Sequence, residues 1–161
     1  MVGHKPLVYH QTFLWRISTT PAEVNFFQKL SLEKKYGYTV LKTLRNCIPY
    51  QCIVNNIVYS TNELLTSYTL KMIYLHEVEK YPNNHHWLNQ NLCHRVMSLF
   101  KRLYKNFQLG KIQSYYIQNY NILDCEEFEI LRSHMLKYVQ LIVVHLKETL
   151  LLNTNPVRPS H

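Results

Sequence analysis

The chain has 161 residues, of which 47% are hydrophobic and 17% are charged, so it can bury one sizeable core and is not disordered as a whole. Only 3 glycines and 6 prolines are present, which disfavours a turn-rich all-β sandwich. The net charge of +8 permits contact with phosphates or acidic surfaces but does not by itself establish it.

The first half of the chain predicts two helices followed by a connector. The segment Thr20-Pro21-Ala22-Glu23 is a capping box that opens the first helix, because Glu23 can reach back to the backbone of Thr20. A second helix is expected over residues 32–45. Residues 46–59 are interpreted as an irregular connector with short extended pieces, since the Asn55-Asn56 pair breaks helical order.

The second half predicts three longer helices. A second capping box, Ser60-Thr61-Asn62-Glu63, opens a helix that is expected to continue to about Lys80. The fourth helix should begin near Trp87 and end where Gly110 can take a left-handed conformation. The last helix is expected to have Asp124 as its N-cap and to carry one long apolar stripe.

Together these elements predict an all-α protein, a five-helix bundle in one domain. The expected organisation is an N-terminal segment over 1–12, a helical domain over 13–152 and a flexible tail over 153–161. Residues 115–123 are expected to form a partly buried loop.

Metal-dependent phosphoryl or nucleotidyl transfer needs two or three carboxylates that converge on divalent cations. The only E-x-E spacings, Glu77-x-Glu79 and Glu127-x-Glu129, lie in predicted helices, where residues two apart point away from each other. We interpret both pairs as solvated helix faces. We therefore predict no catalytic residue and no metal site in this chain, zinc included.

The clearest charged feature is a group of basic residues on the exposed side of the fourth helix. Lys101, Arg102 and Lys105 cluster there, with Lys111 just beyond. Such a patch predicts salt-dependent contact with the phosphates of nucleic acid. A plain solvated helix face is the alternative, because charge patterning alone is a weak signal.

No secretory signal and no stretch long enough to span a bilayer is visible in the sequence. The four cysteines form no CxxC pair, which is typical of reduced thiols. The sequence therefore predicts a cytoplasmic or nuclear protein without a membrane span.

An ordered series of short motifs carries a family resemblance. The motifs are Trp15-Arg16-Ile17-Ser18, Val40-Leu41-Lys42-Thr43-Leu44-Arg45, Ser67-Tyr68-Thr69-Leu70-Lys71, Glu77-Val78-Glu79-Lys80-Tyr81-Pro82 with Trp87, Tyr115-Tyr116-Ile117 and Asn121-Ile122-Leu123. In this order they resemble the C-terminal half of the male-abnormal-21 (Mab-21) family, which includes cyclic GMP-AMP synthase and the cGAS-like receptors. The resemblance covers roughly residues 13–123.

The resemblance implies a helical lobe of the HhH/H2TH-like type. In complete members this lobe packs against an α/β nucleotidyltransferase core that carries a Gly-Ser turn and three acidic metal ligands, and neither is found in this sequence. The chain is thus expected to be a non-catalytic lobe from a fragment, a truncated gene or a short paralogue. Mg²⁺ and ATP or GTP would be required only together with a catalytic core.

The resemblance also implies a nucleotide-facing surface. Arg16 and Ser18 match a segment that contacts the base and phosphates in family enzymes. Lys42 matches a lysine that reaches phosphate, and Ser67 and Tyr68 match a pair whose tyrosine stacks on a purine. The expected partners are a nucleotide or double-stranded nucleic acid and the separate core. Self-association is also expected, through the apolar face that a missing core would leave exposed.

Two alternatives stay open. One is a fragment of a cGAS-like receptor, which senses double-stranded nucleic acid and synthesises a cyclic dinucleotide. The other is a developmental or scaffold protein of the family, which acts through protein contacts.

The sequence departs from the family pattern at two places. Thr69 replaces the family's usual histidine. The stretch before Lys42 is short and cysteine-free, so no zinc thumb is expected.

Overall fold

The computed structural model describes residues 21–154, with side chains described as far as residue 150. In chain order its elements are α1 over residues 21–29, α2 at Leu32–Cys47, β1 at Gln51–Val54, β2 at Ile57–Ser60, α3 at Thr61–Leu64, α4 at Ser67–Lys80, a 3₁₀ turn at Asn84–Trp87, α5 at Asn89–Leu109 and α6 at Glu126–Thr154. The all-α prediction is confirmed, because helices dominate the described part and its sheet has two strands.

Helix α4 lies at the centre of the fold. It packs against α2 and α5, and α5 packs along α6. Most of its residues from Thr69 to Val78 are buried, which is a broader apolar surface than the single stripe of a surface helix. Met72, Tyr74 and Leu75 have no exposed surface at all. Few side chains between the first and the last turn of this helix therefore face solvent.

Gly37 lets α2 approach this central helix closely. A Cβ atom at this position would lie 3.0 Å from the Tyr74 hydroxyl oxygen and 3.1 Å from Cε3 of Trp87. The Tyr74 hydroxyl donates a hydrogen bond to the backbone carbonyl of Lys34. The missing side chain thus makes room on α2 for the rings of Tyr74 from α4 and Trp87 from the 3₁₀ turn.

The segment predicted as an irregular connector with short extended pieces contains two short strands, and these pair into a β-hairpin. Its strands pair antiparallel, with Cys52 opposite Tyr59 and Ile53 opposite Val58. Asn55 and Asn56 have φ angles of 52° and 62°, the left-handed conformation that a two-residue hairpin turn requires. Asparagine tolerates this conformation better than most residues, so the pair closes a turn as well as ending helical order.

The helix predicted over residues 60–80 is two helices. The expected capping box is present, because the backbone amide of Ser60 donates to Oε2 of Glu63 at 2.8 Å. However, α3 ends after one turn, and Thr66 then caps α4 by accepting a hydrogen bond from the Thr69 amide at 3.1 Å. A second cap inside the predicted helix is the reason for the break.

The long loop before α6 is partly buried, as predicted. Gly110 ends α5 with a φ of 64°, which confirms its expected left-handed conformation. The Asn121 side chain then holds the loop together. It donates to the Gly110 carbonyl at 2.9 Å and accepts from the amides of Ile112 at 2.9 Å and Leu123 at 3.2 Å.

The bounds of α6 differ from the prediction at both ends. The helix begins at Glu126, so Asp124, two residues earlier, is not its N-cap. It continues to Thr154, which makes the first two residues of the predicted tail helical, while the rest of that tail and the segment 1–12 lie outside the described residues. No helix within residues 21–154 is long and apolar enough to cross a membrane.

Candidate functional site

A cavity of about 680 Å³ opens between α1, α2 and the start of α4. We call it the cleft. Side chains that line it include Glu23, Tyr38, Lys42, Ser67, Tyr68 and Lys71. They come from parts of the chain that are distant in sequence, so the packing of α4 against α2 creates the cleft.

Three of the five residues predicted to face a nucleotide meet in this cleft. Lys42 is exposed on α2, with its Nζ atom 5.8 Å from the centre of the Tyr38 ring. Ser67 is exposed and Tyr68 half-buried in the first turn of α4. The other two, Arg16 and Ser18, lie outside the described residues.

A buried arginine fixes the position of Ser67. Arg45 is 6% exposed, and its Nη1 donates to the Ser67 hydroxyl at 2.9 Å and to the Leu65 carbonyl at 3.3 Å. The hydroxyl of Tyr138 donates to the backbone carbonyl of Arg45. Our sequence analysis did not assign Arg45 a role. The available signal was its place one turn after Leu41, on the buried side of α2.

An ion pair closes one side of the cleft. Lys71 binds the carboxylate of Glu23, and the side chains are 26% and 9% exposed. The sequence analysis did not assign Lys71 to the site, although it lies one turn after Ser67 on the same side of α4. Thr20, the predicted capping partner of Glu23, lies outside the described residues.

An unbroken series of aromatic rings connects the cleft to the core. The ring of Phe27 lies 4.9 Å from that of Tyr38, which lies 5.3 Å from Tyr74, which in turn lies 5.2 Å from Trp87. Burial raises the pKa of the Tyr38 hydroxyl to about 12. The aromatic wall of the cleft is therefore uncharged at neutral pH.

The predicted basic patch on α5 is divided. Arg102 donates through Nη1 to Oε2 of Glu77 at 2.9 Å, and Arg95 donates to the other carboxylate oxygen at 3.2 Å. Lys101 and Lys105 are exposed one turn apart on a neighbouring side of the helix. Arg102 is thus anchored to the interior, whereas the two lysines face solvent.

The environment of Glu77 differs from the expected solvated helix face. Glu77 is 3% exposed, so the prediction of a solvated helix face is wrong at this position. The reason is the central place of α4, where a carboxylate is tolerated because two arginines pair with it. Glu79, Glu127 and Glu129 are exposed, as predicted. Within residues 21–154, no group of three or more His, Cys, Asp or Glu side chains is placed to hold a metal ion.

A second, smaller cavity of about 270 Å³ lies beside α4 and the end of α5. Arg102 and Lys111 line it together with His76, Asn106 and Gln113. Lys101 and Lys105 do not. The four basic residues predicted as one surface therefore contribute to two different environments.

Comparison with protein families identifies the domain that supplies most of the cleft lining. A family profile described as "Mab-21 protein HhH/H2TH-like domain" matches residues 33–141, which include Lys42, Ser67 and Tyr68. Arg16 and Ser18 precede the matched region. No solved structure gave a significant match. Since the family profile covers most of the chain, the chain belongs to the Mab-21 family through this HhH/H2TH-like domain.

Proposed function

We propose that the cleft holds a nucleotide, and that this chain supplies binding contacts rather than the catalytic step. One observation carries the proposal. Lys42, Ser67 and Tyr68, which the family resemblance implies as nucleotide-facing residues, line a single cavity although they come from different helices.

The lining combines groups that suit a phosphate with groups that suit a base. Lys42 and Lys71 are point charges that attract phosphate oxygens. Tyr68 and the apolar wall formed by Phe27 and Tyr38 offer flat surfaces for stacking. Ser67 adds a hydroxyl group at the N-terminal end of α4, where helix backbone amides favour an anion.

The non-catalytic part of the proposal rests on the state of the buried carboxylates. Glu23 is paired with Lys71, and Glu77 is paired with two arginines. Neither pair leaves carboxylates converging on a free cation position. We propose that Mg²⁺ and any transfer chemistry belong to a separate nucleotidyltransferase core acting as the partner of this lobe.

The proposed location is the cytoplasm or the nucleus, where nucleotides and nucleic acids occur together. The support is chemical: all four cysteines of the chain are free thiols.

Binding of ATP and GTP to the full 161-residue chain tests the proposal. In isothermal titration calorimetry we expect Lys42→Gln and Tyr68→Ala each to weaken binding roughly tenfold, which corresponds to about 1.4 kcal/mol. Lys137→Gln is the matched control, because Lys137 is exposed on α6 and does not line the cleft. Absence of binding at millimolar nucleotide, or an equal loss with Lys137→Gln, contradicts the proposal.

Catalysis is tested separately. The chain is incubated with ATP, GTP, Mg²⁺ and double-stranded RNA or DNA, and the products are separated by chromatography. We expect no cyclic dinucleotide. Formation of one would support the alternative of a cGAS-like receptor and would overturn the non-catalytic role.

Contact with double-stranded nucleic acid is a second candidate function, favoured by the exposed lysines of α5. Lys101 and Lys105 lie one turn apart and face solvent. Each lysine that neutralises a phosphate contributes about 0.9 to the slope of log affinity against log salt. A Lys101→Gln/Lys105→Gln double variant should therefore reduce the slope by about two. Absence of binding, or binding that added salt does not weaken, favours the scaffold role through protein contacts.

Self-association stays a prediction. Exposed apolar side chains include the cross-strand neighbours Ile53 and Val58, which are 70% and 55% exposed. Sedimentation velocity together with binding of a hydrophobic dye measures it. A monodisperse monomer that binds no dye contradicts it.

A further inference from the structure

We propose that the second cavity is a binding site for a small phosphate-bearing ligand, distinct from the nucleotide-binding cleft. We call it the α4–α5 cavity. Its polar lining is formed by His76, Arg102, Asn106, Lys111 and Gln113. The two cavities share no lining residue, so this inference stands or falls independently of the proposed function.

The lining of the α4–α5 cavity contains both apolar and polar side chains. Ile73 and Ile112, which are 3% and 2% exposed, are its buried apolar members. The Nε2 atom of His76 lies 3.0 Å from the Gln113 carbonyl oxygen. Because a carbonyl only accepts, Nε2 carries the hydrogen, and this contact joins α4 to the loop after α5. The cavity therefore has walls from three segments that hydrogen bonds hold in place.

The charge on the lining is entirely positive. Arg102 and Lys111 contribute cations, and no carboxylate lines the cavity. Arg95 and Arg102 together carry two positive charges against the single carboxylate of Glu77, so one positive charge remains in excess. Within residues 21–154, the Lys111 ammonium makes no ion pair. The site thus attracts an anion.

The guanidinium of Arg102 is already oriented for binding. Glu77 is 3% exposed and holds Nη1 at 2.9 Å, while 41% of the Arg102 side chain stays accessible. A planar guanidinium fixed on one side can offer its other N–H groups to two oxygens at once. Phosphate oxygens suit this geometry, because they lie close together and carry the complementary charge.

The volume of the α4–α5 cavity limits the size of the phosphate-bearing group that it can hold. At about 270 Å³ the α4–α5 cavity is less than half as large as the cleft at about 680 Å³. It suits pyrophosphate or the phosphate group of a small sugar phosphate better than a whole nucleotide. Asn106 and Gln113 supply neutral polar groups beside the two cations.

Titration of the full chain with pyrophosphate at constant ionic strength tests the inference. By NMR, backbone amides around Gln113 should shift with saturation. Lys111→Gln should weaken binding at least about fivefold, as expected for loss of one charged hydrogen bond. Lys105→Gln is the control, because it removes an exposed charge from α5 that does not line the cavity, and should change binding less than about twofold. Lys42→Gln, in the cleft, should leave binding at this site unchanged.

A second variant distinguishes loss of binding from misfolding. Arg102→Lys keeps a cation beside Glu77 but removes the planar fork, so binding should weaken while the circular dichroism spectrum stays that of the parent. Three results overturn the inference. The first is amide shifts confined to the cleft, and the second is equal weakening of pyrophosphate binding by Lys105→Gln and Lys111→Gln. The third is a Lys111→Gln variant that binds double-stranded RNA or DNA more weakly but binds pyrophosphate as the parent does.

Discussion

The first turn of α4 and the turns that follow it have opposite surroundings. Ser67 is exposed and Tyr68 half-buried, and both line the cleft. Tyr74 has no exposed surface, and Glu77 is 3% exposed. The same helix therefore presents ligand contacts at its start and forms the centre of the core further along.

This difference separates two kinds of substitution. A change in the first turn removes groups that face the cleft and leaves the core intact. A change in the later turns removes groups that α2 and α5 pack against. The comparison predicts that binding and stability can be altered independently along one helix, and four experiments test it in order of expected effect.

The largest effect is expected at Glu77. Glu77→Ala leaves Arg95, whose side chain is 13% exposed, without its carboxylate. Removing one partner of a buried ion pair costs about 3–5 kcal/mol. Because 41% of the Arg102 side chain is exposed, we expect the lower part of that range, about 3 kcal/mol, in urea unfolding. Glu79→Ala, at an exposed position in the same helix, should cost less than about 0.5 kcal/mol. Equal losses would show that the later turns are not a distinct region.

A smaller loss is expected at Gly37, which faces the later turns of α4. The Cβ atom of Gly37→Ala would lie 3.0 Å from the Tyr74 hydroxyl oxygen and 3.1 Å from Trp87. Overpacking of this kind costs about 1–3 kcal/mol, which exceeds the gain of about 1 kcal/mol from helix propensity. We expect a net loss in urea unfolding. The loss should shrink in a Tyr74→Phe background, since one of the close contacts is then absent. A stabilised Gly37→Ala variant would contradict the close packing of α2 on α4.

Glu23→Gln tests the prediction that a change in the cleft alters binding more than stability. The ion pair of Glu23 with Lys71 is partly exposed, so the cost in unfolding free energy should be about 1 kcal/mol or less. The cleft also loses a negative charge, and ATP should bind several times more tightly. Calorimetry measures the second effect. Unchanged or weaker binding would argue against phosphate contact at Lys71, whereas the stability result stands on its own.

The last effect is the smallest at neutral pH, because it appears only under alkaline conditions. Burial raises the pKa of Tyr38 from 10.0 to about 12 in the folded chain. Below pH 10 both the folded and the unfolded state keep the proton. Above it the unfolded state loses the proton first, so stability falls as the pH rises toward 12. The urea midpoint should therefore drop between pH 8 and 11, and Tyr38→Phe should reduce the drop. Tyr36→Phe, at a 53% exposed position, should leave the drop unchanged.

Helix positions follow closely from the sequence where apolar stripes and end signals agree. Gly110 marks the end of α5 because its φ of 64° suits glycine. The break before α4 was missed, since a threonine such as Thr66 looks the same in sequence as a cap or as an interior residue. Short extended pieces were predicted before α3, but their pairing into a hairpin was missed, because the strands have 4 residues each, too few to show a clear alternation.

The site was accessible to sequence reasoning only in part. Lys42, Ser67 and Tyr68 came from a family resemblance, not from periodicity. Lys71 lies one helical turn after Ser67, so its position on the same side of α4 could have been predicted from the sequence. Arg45 depends on tertiary packing, because its partners lie 20 and 22 residues away in the chain. No local pattern reveals which helix end a buried arginine will contact.

The tip of the hairpin has a practical use. Asn55 and Asn56 are exposed, and neither lines the cleft nor the α4–α5 cavity. Because two left-handed residues close the turn, a fluorophore or an affinity tag attached there extends into solvent without displacing a helix. Ligand binding at either cavity can then be followed by a reporter that touches neither.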